Sequence, residues 1–415
     1  MAQKLKFGNG TWATKKGSTL AYSDTNNAFK PLPFTTTRDS IGTRVNKEGL
    51  IEVVGNDIPR IDYTDSTEGA LLLENSATNL FEYSEDFSNS YWSKIGSGSG
   101  IAPIVTAEYA ISPDGTQNAT RVQFDAVGST NSDRSGLVRN FAFTTGQTYS
   151  ISCWVKSTNE TNQIIQFRLA GSQVSEEQIA TSEWKLYTAT FTATASVTDN
   201  FGMQIRGINS VNESDILIYG MQLELSNYPT SYIPTSGSTV TRQADTASGS
   251  GNSEVFNDSE GVLFADISGL VDGGTSRRIS LTDVSGSTFL NLVSIELDEL
   301  SGVLKAFVSD NSTIGTLQGN IIQTQYNKIA LKYNASSISL YVNGFELDSN
   351  NTPNLPSGLK ILDFNNGQSN QTSEFYGKTK ELGYYDATLT DSELEYLTSY
   401  RSLNELVTEL NLNTL

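Results

Sequence analysis

The sequence contains no histidine and only one cysteine. The first absence removes the side chain most used as a general base near neutral pH, and the commonest metal ligand. The second excludes an internal disulfide. Cys153 alternates with Ile151 and Val155, the pattern of a small buried hydrophobe, and a thiolate nucleophile there would lack an activating imidazole. No apolar run reaches the length of a membrane span, and Met1-Ala-Gln-Lys-Leu-Lys6 holds no apolar stretch that could serve as a signal peptide. Phosphate-cradling glycine loops and Cys/His metal spacings are also missing. Basic residues are few: 27 Lys and Arg stand against 46 Asp and Glu, a formal charge of −19. That excess would repel a phosphate backbone, so nucleic acid is not an expected partner, and neither is a membrane. No cofactor is expected. Calcium is the one ion that the acidity would suit, through oxygen ligands, although no loop of calcium-binding spacing accompanies it.

What is abundant is Ser, Thr, Asn and Gly, together with 18 Tyr and 18 Phe. This mixture suits short strands joined by tight turns. A length of 415 residues exceeds one ordinary core. The pattern predicts an all-β chain of two tandem antiparallel β-sandwiches, with an extended N-terminal anchor and a short C-terminal helix. Residues 1–78 are expected to be extended and too poor in apolar side chains for a core of their own. They would pack on a neighbour: one of the chain's own sandwiches, a sister chain or another protein. An Asn9-Gly10 turn and the short strands Thr43-Arg-Val45 and Gly49-Leu-Ile-Glu-Val-Val54 belong to this segment.

Residues 79–245 alternate strictly at several places. Tyr149, Ile151, Cys153 and Val155 share a face, as do Ile165, Phe167 and Leu169, then Phe201, Met203 and Ile205, then Leu217, Tyr219, Met221 and Leu223. The run from Thr246 to Ser253 reads as a small-residue linker. Residues 246–388 form the second sandwich, with a hairpin pattern over Lys328–Tyr333 and Ser337–Gly344. Residues 389–415 read as helical. Thr390 and Glu393 make a capping box before Leu394 and Leu397, and Leu403, Leu406, Val407 and Leu410 continue at helical spacing.

Opposite its apolar faces the first sandwich presents Trp154, Gln166, Arg168, Gln204, Arg206 and Gln222. On neighbouring strands these residues would form one polar sheet face carrying an aromatic ring. Such surfaces bind sugars by stacking and by planar amide and guanidinium hydrogen bonds. The same face would also serve as a plain solvated surface or an interchain contact. Trp12, Trp92 and Trp184 lie in strand-like patterns and are expected in cores. The adjacent carboxylates Glu85-Asp86, Glu176-Glu177 and Asp298-Glu299 would point to opposite faces of a strand and could not flank a glycosidic bond. No catalytic residue, and no enzyme, is expected.

Two segments carry a resemblance. Gly69-Ala-Leu-Leu-Leu-Glu-Asn-Ser-Ala-Thr-Asn-Leu80 runs into Tyr83-Ser-Glu-Asp-Phe-Ser-Asn-Ser-Tyr-Trp92, and Tyr228-Pro-Thr-Ser-Tyr-Ile-Pro-Thr-Ser-Gly-Ser-Thr-Val-Thr-Arg242 follows far downstream. Together they resemble the opening and closing strands of a β-sandwich module common in tail and head fibre proteins of bacteriophages. Thr37–Val45, Gly49-Leu-Ile51 and Pro59-Arg-Ile-Asp-Tyr63 fit the same pattern. Residues 79–245 look like a carbohydrate-binding-module jelly roll. Residues 261–397 look like a concanavalin A-like (laminin G-like) sandwich, through Leu340-Tyr-Val-Asn-Gly344 and Tyr384-Tyr-Asp-Ala-Thr-Leu-Thr-Asp-Ser-Glu-Leu394.

The resemblance implies a non-enzymatic structural protein on the external surface of a virion, made in the host cytoplasm. It would be a fibre or appendage subunit, assembled as a homotrimer and attached to other virion proteins through its N-terminal segment. A host surface glycan would be its external partner. A capsid-attached head fibre or decoration protein without a receptor role is one alternative, and a glycan depolymerase another, since these folds host all three roles.

Overall fold

Strand follows strand through this chain because alternating apolar runs are separated by glycines and small polar residues that turn the backbone. The computed structural model describes residues 3–159, 163–283, 291–310, 312–351, 354–367, 373–402 and 405–407. Almost all regular structure among them is antiparallel β, and α-helix is confined to the C-terminal end.

The first sandwich packs a four-stranded sheet on a five-stranded one. The four-stranded sheet runs Ser93–Ser97, Arg134–Ala142, Thr198–Arg206, Phe167–Arg168. The five-stranded sheet runs Ile101–Ala110, Ala119–Asp125, Glu213–Glu224, Thr148–Ser157, Lys185–Thr192. Tyr149, Ile151, Cys153, Val155, Ile165, Phe167, Leu169, Phe201, Met203 and Ile205 enter one core around Trp92 and Phe143, on the faces that alternation assigned. One strand departs from its pattern. Met221 and Leu223 point inward as expected, but upstream of them Ile216 and Ile218 fill the core, while Tyr219 turns to the outer face. The cause is a bulge at Gly220, whose φ of +64° shifts the alternation by one residue. A side chain there would also meet the ring of Tyr232 at 3.1 Å.

The second sandwich is built from both ends of the chain. Its larger sheet contains, in order, Thr246–Ser248, Ala28–Thr37, Ser18–Ser23, Leu5–Gly8, Gly377–Tyr385, Gly261–Gly269, Asn327–Tyr333, Ile338–Val342 and Phe345–Asn350. Facing it are Ile314–Asn320, Val303–Asp310, Asn291–Leu297, Arg277–Thr282 and Ile361–Asp363. The N-terminal segment is therefore not a free extended arm. Its first strands pack into the chain's own second sandwich, where Leu5, Phe7, Ala21 and Phe34 join the core, while Ile51 packs on Tyr219 and Tyr232 of the first. Phe34 stacks between Phe7 and Phe364, with ring centroids at 4.5 and 4.9 Å. Nor is Thr246–Ser253 a linker. Its first residues pair with Thr35–Thr37 as the sheet's last strand, and Ser250 bridges to Leu362. Small side chains permit a strand there as readily as a flexible tether. Trp12 is half-buried against this core. The helix Asp391–Thr398 docks through Leu394 on Val262, Phe264, Ala330 and Tyr341, and Glu393 accepts the amide of Thr390 at 2.8 Å. Leu403 and Leu410 lie outside the described residues.

A buried charge cluster joins the two bodies. Arg60 donates to Glu74 at 2.6 Å and pairs with Asp245. Arg38 reaches Asp245 at 2.9 Å, and Arg242 lies 3.4 Å from Glu74. Ser231 donates its amide and hydroxyl to Glu74 at 2.8 and 2.6 Å. Burial alone would push the Glu74 carboxyl up, but Arg242, Arg60 and the Ser231 donors outweigh it and hold it down at about 2. Four of the segments that carry the fibre-type pattern supply Arg38, Arg60, Glu74 and the pair Ser231 and Arg242 to this junction. Asn79 continues it, donating to Ile233 O at 2.9 Å and accepting from Phe81 and Leu223 at 3.1 and 3.2 Å.

Candidate functional site, a crevice at Trp154

The six polar-face residues do not share one surface. Gln166, Arg168, Gln204 and Arg206 belong to the outer side of the four-stranded sheet. Trp154 and Gln222 lie on the outer side of the five-stranded sheet, across the core from them. Alternation tells inside from outside, but a sandwich has two outsides.

Five of the six are committed to internal bonds. Arg168 pairs with Asp199 at 2.8 Å and donates to Asn200 O at 2.8 Å. Gln166 donates to Ser175 O at 3.0 Å and accepts from Asn209 at 3.3 Å. Arg206 donates to Asn131 at 2.8 Å, and Gln204, in the amide orientation its neighbours require, accepts from Arg206 at 2.6 Å. Gln222 donates to Glu224 at 2.8 Å and accepts the amide of Ile233 at 2.7 Å. All five are buried, so they fix loops rather than face a ligand.

Trp154 is different. The chain has four tryptophans. Trp12, Trp92 and Trp184 donate their indole N–H to the carbonyls of Gly69, Tyr83 and Ile111 at 3.1, 2.9 and 3.2 Å. Among the described residues, the indole N–H of Trp154 has no acceptor. Its ring is half-buried beside Ile51, Tyr219 and Tyr232, and it lines a cavity of about 250 Å³. This nitrogen is not among the buried polar atoms left without a partner, so it is open to solvent and available to an acceptor from outside.

Three parts of the chain build the crevice. The floor is the outer face of the five-stranded sheet, with Ser152, Trp154 and Leu186. One wall is the hairpin Gly42–Val45/Ile51–Val54, which Thr43 fastens by donating its hydroxyl to Tyr232 O at 2.5 Å. The other is the 229–232 segment, held by the Gln222 and Glu224 bonds; Thr230 donates its amide to Glu224 at 2.9 Å. Leu270 and Lys378 close the crevice from the second sandwich. Burial would lower the Lys378 ammonium, but Asp62 and Asp65 outweigh it and raise it, so the charge stays. The Lys378–Asp62 distance is 3.3 Å. A mostly apolar hollow at a domain boundary, with an aromatic floor and a few convergent polar groups, is the usual form of a small-ligand site.

The carboxylates that line this hollow are tied into ion pairs, Asp62 with Lys378 at 3.3 Å and Glu74 with Arg60 at 2.6 Å. Cys153 lies beneath it in the core, and burial drives its thiol far up. Glu85, raised by burial, accepts from Tyr232 at 2.7 Å and Tyr219 at 3.3 Å behind the wall. Among the described residues, no group of three or more Cys, Asp or Glu is placed to hold a metal ion. Of the crevice residues, Trp154 was legible in the sequence. Tyr232 and Ile51 sit in segments of the fibre-type pattern, whereas Leu186 and Lys378 carried no signal.

No protein-family model and no curated protein matches the sequence. Similar solved structures exist at low identity. The CBM40 of the Ruminococcus gnavus IT-sialidase, bound to α2,3-sialyllactose, aligns with 37% of this chain and 94% of its own, at 14% identity and a TM-score of 0.32. Domain 4 of a GH43 extracellular arabinanase from Geobacillus stearothermophilus, in complex with arabinotriose, covers 38% of this chain and 73% of its own, at 14% identity and a TM-score of 0.31. Bacillus licheniformis β-glucanase covers 36% and 73%, at 15% identity and a TM-score of 0.26. Likenesses this slight say nothing of what this chain binds. By its own strands, this is an all-β protein of antiparallel sandwiches with a short C-terminal helix.

Proposed function

We propose that this chain is a non-enzymatic surface protein of a bacteriophage particle, a trimeric fibre or appendage subunit that holds a host glycan unit in the Trp154 crevice. The observation that carries the binding role is the indole N–H of Trp154, which has no acceptor among the described residues and faces a ring-sized hollow. A sugar offers such a site an apolar ring face for stacking and hydroxyls for the indole N–H and the flanking Ser152. The phage assignment is supported by the fibre-type segments, whose Arg38, Arg60, Glu74 and Arg242 meet Asp245 in the junction behind the crevice. Because residues 5–37 are woven into a sheet, contact with the rest of the particle would use a folded surface rather than a free arm. A single crevice of this size binds weakly, and several copies on one particle would multiply the effect.

A glycan array read at millimolar sensitivity tests the reading. Saturable binding is expected, and Trp154→Ala should weaken it about tenfold or more. Binding that survives Trp154→Ala unchanged would refute the crevice. No binding at all would favour the head fibre or decoration role, and loss of host capsule on incubation would reveal a depolymerase.

A further inference from the structure

A second depression lies on the outer face of the second sandwich's larger sheet. Its volume is about 890 Å³, more than three times that of the Trp154 crevice. The floor follows from strand register. Lys6, Gly383 and Phe264 lie in one cross-strand row, and Glu381, Asp266 and Lys328 in the next. Gly383 leaves room in the first row for the side-chain amide of Gln3, which lies over it and donates to Glu381 at 3.0 Å. One wall is the Tyr63–Glu68 turn, and the other is the end of the C-terminal helix with Arg401.

The two depressions have a lining residue in common. Thr64 lines both. Behind it, Lys378 pairs with Asp62 on the crevice side and with Asp65 on the groove side. The segment Asp62–Asp65 thus stands between a ring-sized hollow and an oligomer-sized groove.

We infer that the groove and the crevice are two parts of one binding track for a neutral linear oligosaccharide. This rests on the glycan reading of the crevice. Neutrality follows from the lining. Four cationic and six carboxylate side chains face the groove, so a polyanion meets the carboxylates and a polycation meets the lysines, and like-charge contacts are costly. A chain of hydroxyls donates to the carboxylates and accepts from the ammonium groups at once. The half-buried ring of Tyr63 gives the groove a stacking surface of its own. The terminal ring then sits on Trp154, and the following rings cross Thr64 into the groove.

The test is a chain-length series. Malto-, cello-, xylo- and manno-oligosaccharides from disaccharide to hexasaccharide are titrated against the full chain by isothermal calorimetry, with Trp154→Ala and with the double variant Lys6→Ala/Glu68→Ala. Lys6 and Glu68 make no ion pair among the described residues, so their removal spares the fold. In at least one series, affinity should rise about tenfold or more with length. The double variant should abolish that rise while leaving disaccharide binding intact, and Trp154→Ala should weaken every length. Affinity that does not change with length, yet is lost in Trp154→Ala, would overturn the track and leave the crevice standing. No binding by any series would overturn both.

Discussion

Arg60 shows how much one side chain can hold. Fully buried, it donates to Thr43 O at 3.1 Å, to Glu74 at 2.6 Å and to Ser231 at 2.7 Å, and pairs with Asp245. It therefore joins the crevice hairpin, the strand before the first sandwich, the closing segment and the start of the second sandwich. Breaking a buried pair from one side leaves an uncompensated charge, which costs far more than the pair contributes net. Arg60→Ala is expected to destabilise the protein by about 3–5 kcal/mol, read by urea unfolding followed by far-ultraviolet circular dichroism. A loss below about 1 kcal/mol would mean that the cluster is solvated and adds little to the junction. Trp154 stands at the opposite extreme. Its ring is only partly buried and lines the crevice, so its replacement should cost binding far more than stability.

Elements explain what the sequence revealed and what it hid. Alternation is a local signal, so Tyr149 to Val155 and Phe201 to Ile205 could be placed without any knowledge of their partners. The phase slip at Gly220 could not, because it is settled by a left-handed glycine and by Tyr232, which comes from another part of the chain. The partners of the N-terminal strands were equally hidden. Leu5–Gly8 pairs with Gly377–Tyr385 at the far end of the chain, and no residue in either announces the other. The crevice was half visible for the same reason: Trp154 stands in a readable strand, while its walls arrive from the 43–51 hairpin, residue 270 and residue 378. The woven N-terminus has a consequence. Deleting residues 1–37 removes Leu5, Phe7, Ala21 and Phe34 from the second core, at roughly 2–5 kcal/mol for each large side chain lost. The truncated chain should bind a hydrophobic dye and lose its near-ultraviolet dichroism. Unchanged thermal unfolding would show that those strands are accessory.

For the whole molecule, charge bears on the proposed assembly. A chain of net charge −19 repels its own copies, and salt screens that repulsion. The proposed trimer should therefore be favoured at physiological ionic strength and loosen at low salt. Light scattering in about 0.15 M salt should give three times the chain mass of 45.0 kDa. A monomer that persists at high concentration in that buffer would contradict the trimer. The crevice opens beside the junction of the two sandwiches, where Glu74 of the charge cluster lines it, so a ligand seated there would brace that junction.

The most direct test follows the four indole N–H groups by nuclear magnetic resonance of protein labelled with ¹⁵N at tryptophan. Assignment comes from the resonance lost in Trp154→Phe. Titration with the sugar selected by the array should shift the Trp154 indole signal progressively to saturation, while those of Trp12, Trp92 and Trp184, already bonded to carbonyls, stay in place. A sugar that binds this chain without moving the Trp154 signal would contradict the account.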